Sequence, residues 1–322
     1  MDALPVTERS GVPYSSAIDG VMHACGHDLH TAMLAGAARL LAARQDDLAG
    51  DVVFMFQPGE EGDGGAQRMV GEGVLDAAGQ RPVAAYALHV AAGLLPFGLV
   101  ASRAGTVMAA ADTLEVTVHG RGGHGSQPYL AADPVPVACE IVLALQTMVT
   151  RQFDVFDPVV LTVGTFHAGT ADNVIGDDAR FAATVRSFSP QSREAIQRSA
   201  TQLVRDIAAA HGLTATAQFV DGYPVTVNDA AELAFAEETV TALLGPGRYL
   251  AAPNPLTGAE DFSFVLNEVP GAMLMLGACP PDTDPFTAPF NHSAEAVFDD
   301  AALPYGAAIY AELALRRLAA PN

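Results

Sequence analysis

At 322 residues, with half of them apolar and 16% charged, the chain has ample material for a buried core and is long enough for two domains. Its formal net charge of -21 excludes a surface that attracts phosphate backbones or anionic lipid, so neither nucleic acid nor membrane is an expected partner. All 16 basic residues are Arg, which excludes Schiff-base lysine enzymes and the lysine of phosphate-binding loops.

The opening Met1-Asp2-Ala3-Leu4-Pro5 has neither a basic region nor an apolar run and does not read as a signal peptide. Three scattered cysteines (Cys25, Cys139, Cys279) make no disulfide framework, so a reducing cytoplasm is the expected setting. Leu34, Ala37, Ala38 and Leu41 have helical spacing, and the apolar run 52–56 predicts a strand stopped by Pro58-Gly59. A helix over 65–76 and a strand over 84–90 repeat the alternation. Residues 82–102 carry no charge and could span a bilayer by length, but His89, Gly93, Pro96 and Gly98 break them into strand, loop and strand.

The middle of the chain changes style. Residues 113–119 alternate with period two, a helix follows over 134–151, and 159–165 and 180–188 predict strands. Ser189-Pro190 opens a helix ending near His211-Gly212, and 214–220 alternate again. Strand, helix, strand, strand, helix, strand is the ferredoxin-like order. Beyond it come a helix over 229–243, a strand over 272–276 and a helix from 303 to the end. The fold class is therefore α/β with an inserted ferredoxin-like α+β domain at 109–222, splitting the α/β domain into 1–108 and 223–322.

His23-Ala24-Cys25-Gly26-His27-Asp28-Leu29-His30 puts a thiol, imidazoles and a carboxylate into one turn before a helix, a set that suits borderline-soft divalent ions. In Gln57-Pro58-Gly59-Glu60-Glu61-Gly62, adjacent carboxylates point in different directions, so one can ligate while the other takes a proton from the attacking water. His89 ends an apolar strand, and Asn291-His292-Ser293 lies in a loop. Each cluster alone also has a plain structural reading: a buried thiol beside surface histidines, a solvated acidic turn, a satisfied core imidazole. Together Cys25, His27, Glu61, His89 and His292 are five ligands, too few for two closed four-ligand sites. A bridging side chain and a bridging water or hydroxide would complete a two-metal hydrolytic centre. The competing enzyme reading, Cys25 as a nucleophile activated by His27 or His89, leaves the Glu60-Glu61 pair idle.

The strings 22–32 and 56–62, Gly122-Gly123-His124-Gly125-Ser126, Gly258-Ala259-Glu260-Asp261-Phe262 and the ending around His292 resemble the two-metal amidohydrolases. That family includes hippurate hydrolase, N-acyl-amino acid deacylases and indole-acetyl-amino acid hydrolases. The resemblance runs in order along essentially the whole chain. It implies that Cys25, His27, Glu61, His89 and His292 ligate two divalent ions, manganese or zinc, with cobalt or nickel as alternatives. It further implies that Glu60 is the general base and Asp2 an acid behind the metal site. The insert would be a lid and homodimerisation domain whose His124 enters the neighbouring subunit's site. For the carboxylate of an N-acyl or N-aroyl amino acid substrate, Arg186 is the natural bidentate partner and Asn173 a neutral one.

Three departures qualify the resemblance. Met1 to Pro5 match the family's Asp-Met-Asp-Ala-Leu-Pro stretch without its first Asp or the elements upstream, so the chain is expected to be N-terminally truncated. A catalytically impaired metal-binding or dimerisation fragment is the alternative function. Gly176 stands where the family usually has Pro, and Ala259 where Ser is common, which bears on the substrate more than on the chemistry.

Overall fold

The computed structural model describes residues 2–320; Met1 and the final two residues of the expected terminal helix lie outside the described residues. The chain divides into two units, one of Met1–Val107, Thr226–Pro255 and Asp261–Asn322, the other of Met108–Val225 with Leu256–Glu260.

In the first unit, helix α1 (His27–Ala42) buries Leu29, Met33, Ala37 and Leu41, one stripe at i, i+4 spacing. Its start is fixed by Gly26, which sits at φ +80° where a Cβ would overlap Val90 Cγ2. Helix α2 (Gly65–Gly71) is shorter than the expected 65–76, because Gly73 at φ +90° breaks it and Val74–Asp76 continue as a 3-10 turn. Strands β1 (Ala85–Ala91), β2 (Val100–Ser102) and β3 (Gly105–Met108) follow.

The second unit runs β4 (Ala110–His119), β5 (Gly123–His124), α3 (Pro134–Gln152) and β6 (Val159–Ala168). It continues through β7 (Val174–Ile175), β8 (Asp178–Ser187), α4 (Pro190–Ala210) and β9 (Thr214–Asp221). The chain then returns to the first unit with β10 (Thr226–Asn228), α5 (Ala230–Leu244), β11 (Tyr249–Ala251), α6 (Ser263–Leu266), β12 (Gly271–Gly277) and α7 (Leu303–Ala319).

The first unit's sheet has the order β1-β12-β2-β11, with β12 parallel to β1 and antiparallel to β2. Strand β12 is buried along nearly its whole length, the pattern of a strand covered on both faces. Helices α1 and α7 pack together, and Gly306 permits the close approach: a Cβ there would overlap Met33 Sδ. Inside, Tyr86 donates to the Glu232 carboxylate, which also accepts from Arg317 Nε at 3.1 Å. The expected strand over 52–56 is not formed. Strand β1 is the sheet edge, and the N–H groups of its Leu88 and Val90 donate to Tyr310 Oη and His30 Nε2 at 2.8 and 2.9 Å. The run is left without a ladder among the described residues, with Val53 and Phe56 38% and 47% exposed.

In the second unit β6-β8-β4-β9 form an antiparallel sheet. Leu114, Val116 and Val118 of β4 point to one face, where they share a core with Ile141 and Leu145 of α3 and Ile196 and Val204 of α4. Asp133 and Ser189 cap the two helices, each followed by Pro at the first helical position. Strand β6 runs past the expected 159–165 to Ala168, with a register shift between Val163 and Thr165.

The Arg193–Asp112 pair is more deeply buried than the other ion pairs described in this unit. Arg193 donates to Asp112 from Nη2 at 2.6 Å and Nε at 2.9 Å, and Gly222 N donates to the same carboxylate at 3.1 Å. The Asp112 side chain is 1% exposed, so removing its partner strands a buried charge. Arg193→Ala is expected to destabilise the chain by about 3–5 kcal/mol in urea unfolding followed by circular dichroism. An unchanged midpoint would mean that the Gly222 N–H alone satisfies the carboxylate.

Candidate metal centre

Four segments of the first unit supply the side chains. Cys25 and His27 flank Gly26 in the turn that opens α1. Glu60 and Glu61 sit on the loop before α2, a loop closed so tightly that a Cβ on Gly65 would overlap Pro58 O. The fully buried Asp261 ties both ends of this loop: it accepts from Gln57 Nε2 and, at 2.8 Å, from Ala66 N. His89 lies near the C-terminal end of β1. His292 has φ +72°, a rare conformation for a residue with a side chain, and its N–H donates to Ala24 O at 2.8 Å.

These segments converge on one sulfur. Cys25 Sγ lies 3.4 Å from His89 Nε2 and 3.3 Å from His292 Nε2. Cys25, His27 and His89 offer ligand atoms within 4.8 Å of one another, and so do Cys25, Glu61 and His292; the thiol belongs to both groups. His27, Glu60 and Glu61 form a further group, with His27 Nε2 3.9 Å from Glu60 Oε2.

The groups behind these donors fix how they point. His89 Nδ1 donates to Val90 O at 2.8 Å, leaving Nε2 with its lone pair towards the sulfur. His27 Nδ1 lies 2.7 Å from Asp2 Oδ1, and Asp2 Oδ2 accepts from Glu61 N at 2.9 Å, so one carboxylate holds both the imidazole and the acidic loop. Carboxylate–imidazole pairs of this kind orient metal-ligating histidines. Burial pushes Asp2 up, but the Glu61 N–H and the neighbouring His27 imidazole outweigh it and its pKa lies below the ordinary value.

The electrostatics fit divalent cations. Burial, and next the Glu61 carboxylate, push the Cys25 thiol well up, so without a cation beside it the sulfur keeps its proton. Burial lowers His89 to about 4, keeping its imidazole neutral and available as a ligand. Glu61 is raised by burial but lowered more by His292, His27 and Cys25, and is ionised. Glu61 Oε1 is buried and makes no aligned hydrogen bond, although His292 Nε2 is 3.2 Å away; a cation would satisfy both. The Glu61 carboxylate in turn raises His292 against the effect of burial.

His124, Asn173 and Arg186 belong to the second unit. The first two are brought together: β5 pairs with β7 so that His124 stands opposite Val174, and Gly125 N donates to Asn173 O at 2.9 Å. The exposed His124 ring contacts Ser126 Oγ at 2.9 Å. Arg186 lies on β8 between Ala111 and Val160, half-buried, and makes no hydrogen bond or ion pair among the described residues. Desolvation lowers its pKa while Asp112 raises it. Sequence reasoning passed over His30, Asp261 and Asn291 as site residues although all lie inside the motif strings. Asp261 and Asn291 were signalled only as polar side chains beside Glu260 and His292, and His30 only by its place in the His23–His30 cluster.

The profile of peptidase family M20/M25/M40 matches residues 1–316. Thermostable carboxypeptidase 2 of Saccharolobus solfataricus is 37% identical over 98% of this chain and 78% of its own length. IAA-amino acid hydrolase ILR1-like 5 of Arabidopsis thaliana is 38% identical, covering 99% of this chain and 72% of that one. N-acetyl-L-cysteine deacetylase of Bacillus subtilis is 36% identical over 86% and 65%. Among solved structures, the Bacillus subtilis YXEP protein, a dinuclear metal-binding peptidase, superposes with a TM-score of 0.82 at 31% identity, over 99% of this chain and 79% of that one. With sequence and fold matching along its whole length, the chain belongs to peptidase family M20/M25/M40 and is a metal-dependent amidohydrolase or peptidase.

Proposed function

We propose that the chain hydrolyses the amide bond of N-acyl or N-aroyl amino acids, releasing a carboxylic acid and an amino acid. The observation that carries this reading is the thiol of Cys25 shared by two groups of donors, a set made for two ions and not for one. The names of two relatives, a hydrolase of IAA-amino acids and a deacetylase of N-acetyl-L-cysteine, support the substrate class. Cys25, His27, Glu61, His89 and His292 would hold the ions, zinc being the ion that the mixed sulfur, nitrogen and oxygen donors suit best and manganese the alternative that the family resemblance implies.

When bound, the ions polarise the scissile carbonyl and acidify the attacking water. Glu60, beside His27 but outside both groups that contain Cys25, takes the water's proton and hands it to the leaving amine nitrogen. Asp2 keeps His27 oriented through Nδ1 while steadying the N–H of Glu61. The guanidinium of Arg186, in no ion pair among the described residues, pairs with the substrate's carboxylate, and the Asn173 amide adds a neutral contact. His124, exposed on β5, donates to the developing oxyanion of a neighbouring subunit's substrate, the second unit serving as lid and dimerisation domain. No helix among the described residues is long and apolar enough to cross a membrane, and the three free cysteines accord with a cytoplasmic setting.

Three variants test these roles. Cys25→Ser should lower bound manganese or zinc, read by elemental analysis, and abolish hydrolysis; full activity with stoichiometric metal would sink the dinuclear assignment. Glu60→Gln should keep the metal while turnover falls roughly 10²- to 10⁴-fold, whereas metal loss would exchange the roles of Glu60 and Glu61. Mixing His124→Ala with Glu60→Gln under conditions of subunit exchange should restore a substantial fraction of activity. No recovery despite proven exchange would refute a shared site.

A further inference from the structure

One side chain, on the loop that carries His292, touches two more of the ligand-bearing segments without offering a ligand itself. Asn291 Oδ1 accepts from Ala92 N at 2.9 Å. Its Nδ2 donates to Val90 O at 3.0 Å and to Cys25 O at 3.4 Å, and lies 3.9 Å from Cys25 Sγ. The partners fix the amide's orientation: an N–H must meet Oδ1, and two carbonyls and a sulfur must meet Nδ2. Val90 O is also the acceptor that holds His89 through Nδ1, so the carbonyl that orients His89 is itself held by Asn291. The next residue is His292, whose left-handed backbone is pinned by the bond from its N–H to Ala24 O.

We propose that Asn291 is the positioning residue of the metal centre: its amide locks the end of β1, the Cys25 turn and the His292 loop into one frame, so that the sulfur faces both groups of donors at once. This rests on the dinuclear reading above. It explains why an amide serves here and a carboxylate would not. Nδ2 faces three electron-rich atoms, so Asn291→Asp keeps the shape but turns two attractive contacts into repulsions and sets a negative charge beside the sulfur. Asn291→Ala removes the frame without adding charge.

The test uses the full chain and cobalt(II) as the probe, because a cobalt-bound thiolate gives a near-ultraviolet charge-transfer band. Cys25 is the one cysteine in the donor groups found among the described residues. A band that survives Cys25→Ser would come from Cys139 or Cys279 and would overturn the reading. Wild-type protein is titrated first by calorimetry and absorption. If it binds no cobalt, or binds it without the thiolate band, the dinuclear reading fails and this inference fails with it. If the band is present, Asn291→Asp and Asn291→Ala should weaken cobalt affinity at least 10-fold, within the range of roughly 10–100-fold seen when the outer partners of ligands are removed. They should also diminish or shift the band, while metal-free far-ultraviolet circular dichroism stays that of the wild type. A band and affinity within twofold of wild type in either folded variant would overturn the role of Asn291 while leaving the metal centre intact. Loss of the metal-free fold in both would overturn it too, by making Asn291 a tether of the whole unit and not of the site.

Discussion

The thiol of Cys25 must stand within reach of two sets of donors at once, and the geometry of the first unit follows from that demand. A buried sulfur near ionised carboxylates is a poor thiolate on its own, and burial and Glu61 together hold its proton in place. The same surroundings suit divalent cations, because the neutral imidazole of His89, the carboxylate of Glu61 and the His27–Asp2 pair all present lone pairs or negative charge to one small volume. With Cys25 as the proposed ligand, metal binding and the ionisation of its thiol would be one coupled event.

Two left-handed backbone positions serve this convergence. Gly26 separates Cys25 from His27 at positive φ and leaves no room for a side chain against Val90. His292 adopts a positive φ with its imidazole beside the sulfur, held by the bond to Ala24 O. Strain of this kind persists only where the surroundings over-determine it. The buried carboxylate of Asp261 does the equivalent for the acidic loop, joining Gln57 at its start to Ala66 at its end so that Glu60 and Glu61 project from a closed turn.

Much of this was legible in the sequence where chemistry is local. Cys25 and His27 are two residues apart before a helical stripe, and Glu60 and Glu61 sit between glycines, so residue type and spacing announce them. The alternation in β4 and the capped starts of α3 and α4 were equally readable, since period and N-cap chemistry are properties of short segments. What failed was pairing. The run 52–56 has the composition of a strand, yet whether it joins a ladder depends on β1, whose outer N–H groups are taken by Tyr310 and His30. Strand β11, only three residues long, carries too little periodicity to be noticed. Asn291 and Asp261 were illegible as site residues because their partners lie 199 residues away at Ala92 and 204 residues away at Gln57.

The most direct test of the account is anomalous diffraction from crystals of the full chain grown with manganese. The account predicts two peaks per chain, roughly 3.5–4 Å apart as in two-metal hydrolytic centres, with Cys25 Sγ bonded to both and His27, Glu61, His89 and His292 around them. A single peak, or a pair that leaves Cys25 unligated, would contradict it.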